Sequence, residues 1–156
     1  FLGIAALRTF AAGDDKAPGS DRIAGAKEWL LTARPKDTED RVFRLRALEY
    51  AGAGAKETQA AAKELLALQR EDGGWSQLPD GESDAYAVGS VLAALAQAGG
   101  TAVTDAGYRR GVEWLLRSQK PDGSWYVKSR SKPFQAYFET GFPHEKVQFI
   151  SSHASS

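Results

Sequence analysis

The stretch Gln69-Arg70-Glu71-Asp72-Gly73-Gly74-Trp75 recurs as Gln119-Lys120-Pro121-Asp122-Gly123-Ser124-Trp125, fifty residues further on. The register holds upstream, where Leu65-Leu66 matches Leu115-Leu116 at the same offset. A repeat of about 50 residues indicates stacked supersecondary units that share a core. Within each unit an amphipathic helix carries Leu-Leu in its last turns, Asp-Gly makes the turn that ends it, and the Trp folds back. Gly allows a positive φ without steric cost, and Asp bonds its own local backbone in such turns. The indole is expected to return to the helix that the chain has just left, as a staple between repeats.

Working outward, apolar periodicity predicts six helices. Helices near 2–12, 39–51 and 84–98 are expected to be inner ones, and those near 21–33, 58–69 and 105–118 outer ones with a charged face. Ser83 is expected to cap the helix near 84–98. The stretch from Ala85 to Ala98 has no charged residue, so a helix there is expected to be buried on all sides, and it is too short to span a bilayer. On the last amphipathic helix, Tyr108, Gly111, Val112, Leu115 and Leu116 are expected to face inward. Such alternation suits two concentric layers, an inner one enclosed by protein and an outer one with a wet face. Trp29-Leu30-Leu31 matches Trp114-Leu115-Leu116, but Arg34 stands where the Gln belongs and no Gly-x-Trp follows, so the first repeat is degenerate. Ile150 to Ser156 reads as the first turn of a further inner helix. Repeat units are expected near 21–52, 57–99 and 104–156, within a single domain over 1–156 that is itself incomplete. An open array leaves apolar flanks uncovered, which predicts self-association or a missing remainder.

Gln69, Gly73 and Trp75, with Gln119, Gly123 and Trp125, resemble the QW motif of the squalene-hopene and oxidosqualene cyclases, and related repeats occur in protein prenyltransferase β-subunits. The resemblance implies an all-α fold of α/α-hairpin repeats, forming about half of a terpenoid cyclase/prenyltransferase-like α/α toroid. It covers nearly the whole chain in helix order, and only the two QW stretches are specific. It implies an apolar polyisoprenoid ligand, with any catalysis of a terpene-cyclase kind belonging to a complete parent domain. Fold does not carry function, so a protein-interaction scaffold on the same repeats is the alternative.

Composition narrows the field. Lys+Arg 20 against Asp+Glu 20 gives net zero, without the electrostatic footprint of a nucleic-acid partner. Cysteine is absent, which excludes disulfides and a thiolate nucleophile and leaves the compartment open. It also removes the Asp, Cys and His zinc site of the prenyltransferase β-subunits and the reactive Cys of complement-like thioester domains, which share the toroid. No metal or other cofactor is expected: His144 and His153 with Glu139 form a weak ligand pattern in an irregular segment. The chain begins at Phe1 and contains no Met, which reads as a segment excised from a longer protein.

Two stretches could carry chemistry. Asp37-Thr38-Glu39-Asp40 is similar to the Asp-x-Asp-Asp motif of squalene-hopene-type cyclases, with Asp37 and Asp40 matching and Glu39 standing where the proton donor would be. Such a donor needs a carboxylic acid kept neutral by its surroundings. The same residues also suit an acidic first turn complementing a helix N-terminus. The second stretch, Ser129 to Phe149, lacks a helical period and is rich in rings. Phe134, Tyr137, Phe138, Glu139 and Phe142 are its candidate ligand-binding residues, since aromatic faces stabilise cations and long loops are often functional. Packing over the open end of the core is the alternative role of these rings. His144 is a candidate general base there, or a loop residue bonding the backbone.

Overall fold

Asp37, Asp84 and Asp105 set where three of the helices begin. Each lies just before its helix and accepts main-chain N–H bonds with its carboxylate: from Asp40 at 2.9 Å, from Ala87 at 3.0 Å, and from Gly107 and Tyr108 at 2.8 and 3.1 Å. These bonds satisfy donors that a helix start leaves without partners. In the computed structural model residues 2–10, 18–128 and 147–150 are described. They form α1 (Leu2–Phe10), α2 (Pro18–Thr32), α3 (Thr38–Tyr50), α4 (Ala55–Ala67), α5 (Ala85–Gln97) and α6 (Ala106–Ser118). A short antiparallel ribbon follows, β1 (Trp125–Lys128) with β2 (Val147–Ile150), in which Trp125 stands opposite Ile150.

The fold is all-α apart from that ribbon. Helix α3 packs against α1, α2, α4 and α5, and α5 packs against α3 and α6. The line α1, α3, α5 is therefore the inner row, with α2, α4 and α6 outside it. Leu45 and Leu48 of α3, Leu65 of α4, and Val88, Val91 and Leu95 of α5 are fully buried, and Trp75 joins them. Among the described residues no helix is long and apolar enough to cross a membrane.

The two turns from Gln69 to Trp75 and from Gln119 to Trp125, labelled QW turns for their Gln and Trp, repeat bond for bond. Trp75 Nε1 donates to the carbonyl of Leu65 at 2.7 Å, and Trp125 Nε1 to that of Leu115 at 2.9 Å. Gln69 Nε2 donates to the Gly73 carbonyl at 2.9 Å, as Gln119 Nε2 does to Gly123 at 3.0 Å. Asp72 Oδ1 accepts from Gly74 N at 2.9 Å, and Asp122 Oδ1 from Ser124 N at 3.0 Å. Gly73 and Gly123 hold φ of 87° and 83°, the left-handed region that favours glycine.

Their surroundings differ, because α6 closes over the first turn. Gln69 Nε2 also donates to the Gly107 carbonyl at 2.7 Å, and Arg110 donates to Gln69 Oε1. Trp114 Nε1 donates to Asp72 Oδ2 at 3.1 Å, and Arg117 to the Asp72 carbonyl at 3.0 Å. A Cβ added to Gly111 would lie 2.7 Å from the Trp75 ring, so only a hydrogen fits where α6 crosses the indole. Partial burial opposes ionisation of Asp72, but bonds from Gly74, Ser83 and Trp114 and the nearby Arg70 charge outweigh it and hold the carboxyl below its usual range. Asp122 is lowered by the side-chain and main-chain bonds from Ser124.

Four expectations need correction. Ile150 belongs to β2, not to a further helix, because its backbone pairs with that of Trp125. Helix α5 is not enclosed: Tyr86 is exposed and Gly89, Ser90 and Ala93 are half-buried, forming one stripe that the inner row leaves open. Ser83 does not cap α5, since its hydroxyl bonds Asp72 across the loop at 3.0 Å. Leu116 faces outward at 67% exposure, and Val112 is exposed as well. The inward positions of α6 go instead to Tyr108, Gly111, Trp114 and Leu115.

Candidate functional site

Residues four, three and four apart share one face of a helix, and Glu39, Phe43, Arg46 and Tyr50 of α3 have that spacing. Phe43 is 41% and Tyr50 36% exposed, so the stripe stays open to solvent along the inner row. Tyr86 and Ser90 of α5 face it. Between the two helices lies a cleft of about 160 Å³, lined by Thr38, Glu39, Val42, Phe43, Arg46, Gln77, Tyr86, Ala87 and Ser90.

The end of this cleft is fixed by the exit of the first QW turn. Thr38 is buried, and its hydroxyl donates to the Ser76 carbonyl at 2.6 Å. Gln77 Nε2 donates to Asp84 Oδ2 at 3.0 Å, so the residue capping α5 also holds the loop. Across the cleft Tyr86 Oη donates to Glu39 Oε1 at 2.8 Å. The site therefore presents one carboxylate, one guanidinium (Arg46) and one phenol beside aliphatic and aromatic side chains. A mainly apolar recess with a few convergent polar groups is the usual form of a small-molecule site.

The three acids of the Asp37–Asp40 stretch have separate surroundings. Asp37 caps α3. Asp40 accepts from Lys36 N at 2.9 Å and opens onto a second groove of about 420 Å³ between α2 and α3, lined also by Trp29, Pro35, Phe43 and Arg44. Only Glu39 enters the α3–α5 cleft, so Glu39 and Asp40 are not brought together in one groove. His144, Phe134, Tyr137, Phe138, Glu139 and Phe142 lie outside the described residues, as does His153. Among the described residues no group of three or more His, Cys, Asp or Glu could hold a metal ion.

Sequence reasoning missed Phe43, Arg46, Gln77 and Tyr86 as members of the site. Signals pointed to three of them, the spacing Glu39, Phe43, Arg46, Tyr50 and the one phenol in the uncharged α5, and none to Gln77.

No family model matches the chain. Over 92 residues it is 36% identical to lanosterol synthase erg7A of Aspergillus fumigatus, a match covering 59% of this chain and 12% of that protein. The chain thus spans about an eighth of that relative's length.

Proposed function

We propose that the chain is a segment of a squalene-cyclase-like toroid domain, built of repeat units near 21–52, 57–99 and 104–156, whose inner-row surface binds an apolar polyisoprenoid. The observation that carries the proposal is the α3–α5 cleft, where Phe43 and Tyr86 stand exposed and Glu39 is the carboxylate between them. The stretch similar to lanosterol synthase supports the same reading. Phe134, Tyr137, Phe138, Glu139 and Phe142 would extend the ligand-binding surface. Any acid–base step would use Glu39, with Asp40 and His144 as its other candidates, and would need the complete domain. The alternative, a scaffold without catalysis, draws support from Asp37 and Asp40, both of which are engaged by main-chain N–H groups at the start of α3.

Titration with farnesol, followed by intrinsic fluorescence, tests the proposal. Saturable binding is expected, and Phe43→Ala should weaken it by about 10- to 100-fold, since burying a Phe side chain contributes about 1.5–3 kcal/mol. Unchanged affinity in a Phe43→Ala variant of unchanged circular dichroism would remove the cleft as the site. A complete absence of binding by the wild-type chain would favour the scaffold. In a complete parent domain, Glu39→Gln should abolish turnover while leaving the fold intact, and retained turnover would exclude Glu39 as the acid.

A further inference from the structure

Asp-Gly occurs three times in the chain, at 72–73, 80–81 and 122–123. Each pair ends a four-residue turn closed by the same main-chain bond, with the Asp in the third place. Gly73 N donates to the Arg70 carbonyl at 2.9 Å, Gly81 N to that of Leu78 at 3.0 Å, and Gly123 N to that of Lys120 at 2.9 Å. What differs is the carboxylate. Asp72 Oδ1 accepts from Gly74 N at 2.9 Å and Ser83 Oγ at 3.0 Å, and its Oδ2 accepts from Trp114 Nε1 at 3.1 Å. Asp122 Oδ1 accepts from Ser124 N at 3.0 Å and Ser124 Oγ at 2.7 Å. Asp80 is exposed, and its carboxylate accepts no bond from a described residue.

We propose that Asp80 is a site of spontaneous covalent modification, rearranging through a succinimide to isoaspartate, while Asp72 and Asp122 are protected from the same reaction. In the first step Gly81 N bonds to the side-chain carboxyl carbon of Asp80. The carboxyl C–OH bond breaks, and the hydroxyl leaves with the amide proton as water. Water then adds to one of the two ring carbonyls. Opening at the side-chain carbon restores Asp80, whereas opening at the main-chain carbon leaves the chain running through the side-chain methylene. Glycine, without a Cβ, hinders such attack least. At 72 and 122 the carboxyl must first give up bonds made to a charged group, which are among the stronger hydrogen bonds. Both carboxyls are also held below their usual range, so each is protonated less at a given pH, and ring closure uses the protonated acid. At 80 the turn bond from Gly81 to Leu78 is the barrier that remains. The altered residue lies between Gln77, which lines the α3–α5 cleft, and Asp84, which caps α5. The Ser76–Ser83 bridge closes this loop at its base, so the added methylene falls outside the first QW turn and α5. This inference is independent of any ligand.

Incubation of the full chain in heavy-oxygen water tests it, because each passage through the succinimide leaves one heavy oxygen in the residue. Peptide fragmentation that separates aspartate from isoaspartate locates the label. In the folded chain, label at Asp80 should build up at least ~10-fold faster than at Asp72 or Asp122, the effect of one bond to a charged group. In urea, where the turns are lost, the three sites should label at similar rates. Isoaspartate should accumulate at Asp80 with the circular dichroism unchanged, and Gly81→Ala should suppress the label there alone. Equal rates at the three sites of the folded chain would overturn the proposal, as would a faster rate at Asp72 or Asp122. A folded chain that stays unlabelled at Asp80, while the urea-unfolded chain takes up label there, would show that the turn bond to Leu78 protects it, which also overturns the proposal. Undiminished label at Asp80 in Gly81→Ala would mean exchange by another route and refute the succinimide.

Discussion

Trp75→Ala should be the most damaging single truncation at either QW turn. A tryptophan buries about 150–250 Å², which at about 25 cal/mol per Å² corresponds to roughly 4–6 kcal/mol. That figure is an upper bound, because the unfolded chain already shields part of the ring, by about 10–40%. Losing the bond to the Leu65 carbonyl adds about 1 kcal/mol, although Leu68 N still donates to that oxygen at 3.1 Å. Because Trp75 is fully buried against Gly111, little collapse is available to fill the void. The expected loss is about 3–5 kcal/mol, or a fall in Tm of about 6–20 °C for a chain of this length. Trp125 makes the same indole bond but is only half-buried, so Trp125→Ala should cost about half as much. Urea unfolding of wild type and both variants, monitored by circular dichroism at one protein concentration, gives the two differences. Equal losses would refute the claim that α6 turns a shared motif into a buried staple. A Trp75→Ala loss under about 1 kcal/mol would refute the burial argument outright.

Two further outcomes follow from the turns. Gly73→Ala and Gly123→Ala should each lose about 1 kcal/mol from the left-handed backbone, and Gly73→Ala should lose more, since its new methyl would lie 3.1 Å from the Arg110 carbonyl whereas Gly123 has open space. Thermal melts of the pair check the order, and a larger loss at Gly123 would contradict it. Asp72 has its folded pKa lowered, so its contribution to stability is present above the unfolded value near 3.8 and is lost as pH falls through the lower folded value. Asp72→Asn should therefore reduce the Tm at pH 7, with the gap to wild type narrowing on acidification below pH of about 4. A gap that is constant down to pH of about 2 would show that the carboxylate charge contributes nothing.

All six helices were legible because each carries its period in its own residues. The QW turns were legible because their Gly and Trp perform local tasks. What escaped was decided by neighbours. Ala85 to Ala98 reads as buried all round, yet Tyr86, Ser90 and Ala93 lie on the side where the inner row has no covering layer. Leu116 has the same local setting as Leu66, and only the position of α6 separates a packed leucine from an exposed one. Ser83 looks like a cap by residue type, but Asp84 stands one position closer to α5 and leaves the serine free to reach Asp72. At the candidate site the sequence offered Glu39 with Asp40, and α3 turns the two side chains into separate grooves. The partner of Glu39 is Tyr86, 47 residues away, a pairing set by how α5 packs on α3.

The chemistry of the staple governs how freely such a repeat can change its letters. The indoles of Trp75 and Trp125 and the amides of Gln69 and Gln119 all donate to main-chain carbonyls, an acceptor that every amino acid provides. A substitution at the accepting position leaves the bond available, so the specification of the unit is concentrated in its donors and its turn. Arg70-Glu71 and Lys120-Pro121 can differ completely within turns of the same geometry. A search for further copies should therefore weight Gln, Asp-Gly and Trp at their fixed separations, and treat the intervening positions as nearly silent.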